Sequence, residues 1–66
     1  MGKKDAILLE IEHMKFDGVR KITISDLHNL IRRYDIVEQW KRKDIVMWLV
    51  AKGKIKLDGP LVELVE

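Results

Sequence analysis

The stretch EQWKRKDIVMWLVAKG, Glu38 to Gly53, changes character at its middle. Lys41, Arg42 and Lys43 are consecutive cations, whereas Ile45 to Ala51 is an unbroken run of seven apolar residues. At about 100° per residue the N-terminal half carries one apolar stripe, Ile36, Val37 and Trp40, with Glu38, Lys41 and Arg42 on the other side. From Ile45 onward the polar side turns apolar through Ile45 and Leu49, while Met47, Trp48 and Ala51 extend the first stripe. A helix wrapped by protein at its C-terminal end and projecting into solvent at its cationic N-terminal end has this pattern. Asp35 followed by Glu38 reads as a capping box, which starts the helix near Ile36; it runs to Lys52, where Gly53 stops it.

Upstream, DAILLEIEHMKF (Asp5 to Phe16) places Ile7, Leu8, Ile11 and Met14 at helical spacing, widened by Leu9 and Phe16. Asp17-Gly18 ends this first helix, with the glycine in the C′ role. VRKITI is short and β-branched, and predicts a minimal strand over Arg20–Ile22. Thr23 then caps a short second helix with Asp26 at N3, Ile22 and Leu27 form a hydrophobic staple, and Leu27, Leu30 and Ile31 make the buried face. RRYD (Arg32 to Asp35) breaks that pattern, leaving two helices about four residues apart, as in a helix-turn-helix. Downstream, KIKL alternates, with Ile55 and Leu57 on one face and Lys54 and Lys56 on the other. DGP is a turn, and LVELVE (Leu61 to Glu66) is a second strand that closes a hairpin.

The 66 residues suffice for one small domain, 1–66, near the lower limit for folding on a single core. An apolar fraction of 47% is that of a globular chain. Without cysteine there are no disulfides or thiolate metal sites. The longest apolar run is far short of the roughly 18–20 residues of a membrane span. MGKKDAILLEIE lacks the uncharged stretch of a signal peptide, and Ala6 breaks the myristoylation pattern. The expectation is a cytoplasmic protein, nucleoid-associated if it binds DNA. Charged residues at 36%, with Asn29 and Gln39 the only amides, lean toward a thermophile's composition.

The net charge of +2 conceals an asymmetry. Residues 20–56 hold ten basic and four acidic side chains, whereas the segments on either side are net acidic. The surplus coincides with the projecting helix end.

The order helix, short strand, helix, turn, helix, hairpin, together with WLVAKGKIKL (Trp48 to Leu57), resembles the winged-helix (winged helix-turn-helix) superfamily across nearly the whole chain, and small archaeal or archaeal-virus members in particular. The resemblance implies an α+β fold and a third helix that enters the DNA major groove. It also departs from the superfamily pattern: His28 and RRYD stand where a small residue and a glycine are common, and the wing, DGP, has no basic tip. The superfamily includes modules that bind only proteins.

Lys41, Arg42 and Lys43 suit phosphate or base-edge contacts, with Arg42 the candidate for bidentate guanine recognition; the plainer reading is a solvated face with a Glu38–Arg42 pair. Gln39 joins them at the helix start. Arg32 and Arg33 suit orienting phosphate contacts or simply face water. Lys54 would track the backbone or, with Lys56, discourage sheet pairing. Trp48 reads as core. Trp40 reads as packing inside, with an interface anchor as the alternative. LVELVE lacks clean alternation, so Leu61, Val62, Leu64 and Val65, with Trp40, are the candidate partner or dimer surface. His13 and His28 are isolated and read as structural, and Glu10 and Glu12 point to different helix faces, so no catalytic, metal or cofactor site is expected.

Two functions are therefore expected. One is a DNA-binding protein, a small transcription regulator or chromatin-type factor acting on double-stranded DNA. The other is a protein-interaction module acting as subunit or adaptor.

Overall fold

The computed structural model describes residues 2–65; Glu66, the last residue of the sequence-predicted strand, lies outside the described residues. The elements are α1 (Lys3–Phe16), β1 (Lys21–Thr23), α2 (Ile24–Arg32), α3 (Gln39–Ala51), β2 (Ile55–Asp58) and β3 (Leu61–Leu64). This α+β arrangement, α-β-α-α-β-β, is compatible with a winged helix.

Glycine ends both longer helices by the same mechanism. At α1, the Gly18 N–H donates to the Lys15 carbonyl and the Val19 N–H to the Met14 carbonyl. At α3, Gly53 and Lys54 donate to Val50 and Leu49 in the same pattern. These are Schellman closures, which require a left-handed residue; Gly18 and Gly53 have φ of 87° and 72°. The sequence-predicted Thr23 cap is present, with the Asp26 N–H donating to Thr23 Oγ1 at 3.0 Å.

The strands form one antiparallel sheet in the order β1-β3-β2. β3 pairs with β2 through Asp58↔Leu61 and with β1 through Thr23↔Leu61, so the last strand is central. The Gly59-Pro60 turn lies against α2, whose Ile24 N–H donates to the Pro60 carbonyl at 2.9 Å. Ile7 and Ile11 of α1, Leu27 and Ile31 of α2, Leu49 of α3, and Ile55 and Val62 of the sheet are buried to 1% exposure or less. They form one core shared by every helix and the sheet. Lys15 fastens α1 to the end of the sheet, donating to the Val65 carbonyl at 2.8 Å and pairing with Glu12 at 2.9 Å.

Two expectations are corrected. The third helix starts at Gln39 rather than near Ile36, because Asp35 sits at φ 63° in the left-handed region. An N-cap needs extended backbone, so Asp35 terminates the turn after α2 and Glu38 takes the N-cap position. Trp48, read as core, is only partly buried, with the Lys4 and Lys52 ammonium groups 5.5 and 5.7 Å from its ring centroid.

Candidate nucleic-acid interface

The turn between α2 and α3 sets the attitude of the cationic helix end. Ile36 is 8% exposed and plugs the turn into the core, while its neighbour Val37 is 61% exposed. The Glu38 carbonyl accepts from the Lys41 and Arg42 N–H groups, both at 3.1 Å, which starts the helix. The Glu38 side chain does not cap; it pairs with Lys41 at 3.2 Å.

Arg42 faces inward, contrary to its expected role as a base reader. Its Nε–H donates to Nδ1 of His28 at 3.2 Å, and its Nη1 donates to the carbonyls of Ile36, at 3.5 Å, and of Val37. The guanidinium thus ties α2, the turn and α3 together. A planar fork of donors can bridge divergent acceptors in this way, and a lysine ammonium cannot reproduce the geometry. His28 must offer a bare Nδ1, so its imidazole is neutral. Burial first, then the charges of Arg42 and Lys43, hold its pKa below the ordinary value.

The remaining candidates divide by position. Arg32, Gln39 and Lys43 are exposed and, among the described residues, have no side-chain hydrogen-bond or ion-pair partner. Arg33 pairs with Glu10 at 3.1 Å, beside the Tyr34 hydroxyl, which donates to the same carboxylate at 2.5 Å. That hydrogen bond is the main reason the Tyr34 pKa is raised. Lys41 lies 5.5 Å from the Trp40 ring centroid. These pairs of Arg33 and Lys41 are exposed and contribute little, so an anion can exchange for either. Lys54 belongs elsewhere: it follows the far end of α3, roughly 20 Å along the axis from Gln39 at about 1.5 Å per residue. There it lies 3.9 Å from Glu12. The hairpin tip, Asp58-Gly59-Pro60, carries an acid and no base.

The candidate partner surface on the last strand is corrected. β3 is paired on both edges, Val62 and Leu64 are buried at 0% and 3% exposure, and Leu61 and Val65 are half-buried. Burial alternates along this strand, with Val62 and Leu64 facing the core and Leu61 and Glu63 partly covered on the other face, and neither edge is open. Trp40, by contrast, is 63% exposed rather than packed inside. It shares the outer face of α3 with Met47, 56% exposed and seven residues on. That i, i+7 relation was the available signal that the apolar run Ile45–Ala51 is not buried all round.

No His, Cys, Asp or Glu grouping among the described residues can hold a metal ion, and none of their helices is long and apolar enough to cross a membrane. Compared with known protein families, curated proteins and solved structures, the chain matches none.

Proposed function

We propose that this chain is a winged-helix protein that binds double-stranded DNA through the N-terminal turn of α3. One observation carries the reading. Lys41, Arg42 and Lys43 crowd the positive end of a helix that has no acid in its first turn and no side-chain cap. Cations at that end oppose the helix dipole and leave its first amide groups open to water. The arrangement costs stability in the free chain, and an anion placed there relieves it. Phosphate is the anion that helix N-termini and lysines bind together.

In this reading Gln39 reaches base edges, and Arg32, Arg33, Lys41 and Lys43 hold phosphates. Arg42 acts indirectly by fixing the turn. The hairpin supplies no minor-groove contact, since its tip is acidic and hydrogen-bonded back to α2.

The test is fluorescence anisotropy on a labelled mixed-sequence duplex over a range of salt. About four phosphate contacts imply a log–log slope near −3.6. Absence of binding at low salt would sink the reading and favour the second one, a protein-interaction module, which the exposure of Trp40 supports.

A further inference from the structure

DNA binding at the N-terminal turn leaves the other exposed feature of α3 without a use. Between α3, the start of α2 and β2 runs an open groove of about 290 Å³, lined by Ile24, His28, Lys43, Val46, Met47 and Leu57. Val46 forms a buried floor at 5% exposure, while Met47 and Leu57 stand as half-exposed walls at 56% and 48%. Leu57 occupies the core-facing side of β2, two residues beyond the fully buried Ile55, so the groove begins where the core runs out of cover.

We propose that this groove docks an acidic peptide segment of a partner protein, which inserts one bulky apolar side chain beside a carboxylate. Shape argues for a side chain: pockets for whole small molecules hold roughly 300–1,000 Å³ and enclose their ligand, whereas this groove, at the bottom of that range, is open to solvent. Methionine in the wall suits an adaptable apolar contact. Charge selects the occupant. Among the described residues Lys43, at the lip, is the only charged one in the lining, because His28 is held neutral by the donor from Arg42. A carboxylate flanking the apolar anchor finds that ammonium within reach, and the surplus of cations over residues 20–56 extends the attraction beyond the groove. A second copy would bring the same cationic lip and meet like charge. A nucleic acid would find apolar walls and a floor with no donor for phosphate. The groove's apolar lining, Ile24, Val46, Met47 and Leu57, is separate from the proposed DNA face, and Lys43 is common to both.

The experiment pans a random peptide-display library against the immobilised 66-residue protein, then measures a synthetic copy of the enriched peptide by fluorescence anisotropy. Enriched peptides should share a Leu, Phe or Trp with Asp or Glu close by. Leu57→Asp and Met47→Glu each place a carboxylate in the wall and should weaken the peptide by about tenfold or more, the loss typical of a contact at a binding hot spot. Both positions are half-exposed, so the variants should keep the wild-type circular dichroism spectrum, and Leu57→Asp should bind the duplex as wild type does. The proposal is overturned if no peptide is enriched, if enriched peptides are neutral or basic, or if their affinity is unchanged in both variants. Self-association of the protein that Leu57→Asp abolishes would overturn it in favour of a second copy.

Discussion

The Nε–H of Arg42 donates to Nδ1 of His28 across 3.2 Å, joining the third helix to the second through two side chains that lie fourteen residues apart. The same guanidinium donates to the Ile36 and Val37 carbonyls of the intervening turn. The angle at which α3 presents its cationic end is therefore set by one side chain that a sequence reading places outside, facing DNA.

Arg42→Ala should destabilise the fold by about 2 kcal/mol, since carbonyls and an imidazole nitrogen lose a charged donor. For a chain this short that lowers the melting midpoint by roughly 10 °C. Arg42→Lys should recover little, because an ammonium cannot span the three acceptors. Thermal melts followed by circular dichroism decide the matter. A midpoint for Arg42→Ala indistinguishable from wild type would mean that the guanidinium is a surface group after all.

The His28 contact makes stability depend on pH. The folded-state pKa of His28 lies below its ordinary value of 6.5, so the folded chain binds fewer protons than the unfolded chain as pH falls through that value. Stability from this group is fully present above pH 6.5 and declines below it, until the folded-state imidazole itself takes a proton. His28→Asn, which keeps an acceptor but does not titrate, should flatten the dependence. Urea midpoints measured from neutral to mildly acidic pH test this. Glu12, whose pKa is lowered chiefly by its hydrogen bond from Lys15, acts in a separate window below pH 4.5. An equal slope near neutrality in His28→Asn and wild type would exclude His28 as the sensor.

Charge removal should sort the lysines by position. Lys41→Gln and Lys43→Gln should each weaken duplex binding and reduce the magnitude of the log–log salt slope by about 0.9. Lys54→Gln, at the other end of α3 beside Glu12, should leave both unchanged. Equal effects from all three would point to diffuse attraction with no defined interface.

Thr23→Ala should cost about 1 kcal/mol by removing the acceptor for the Asp26 N–H, whereas Thr23→Ser should be close to neutral. Chemical denaturation of the three proteins provides the comparison. A Thr23→Ala variant as stable as wild type would show that the 3.0 Å cap is replaced by water at no cost.

Local chemistry was legible along the chain wherever one residue type satisfies one backbone need. Gly18 and Gly53 end helices because a left-handed residue lets its own N–H and that of the next residue reach back to the last turn. Thr23 caps α2 because its hydroxyl lies within reach of the amide three residues on. Asp35 shows the limit of such reasoning. The spacing Asp35 to Glu38 fits a capping box, yet Asp also tolerates the left-handed conformation, and the plugging of Ile36 into the core favours that alternative. The candidate site was half legible. Cations at the start of α3 were visible as a run, but nothing local told Arg42 from Lys41 or Lys43.

Helix and strand order, the helix ends and the cationic run follow from periodicity and short-range hydrogen bonding, which neighbouring residues dictate without help from the rest of the chain. Which faces are covered depends on where distant segments pass. β3 became the central strand because β1, some forty residues upstream, pairs with its free edge, and Val62 and Leu64 join the core that the helices cover. Trp40 and Met47 lie uncovered because, among the described residues, no element crosses the outer face of α3, and Arg42 turned inward because His28 stands opposite it. Burial and long-range donor–acceptor matches are properties of pairs far apart in sequence, so they were decided only when the chain closed on itself.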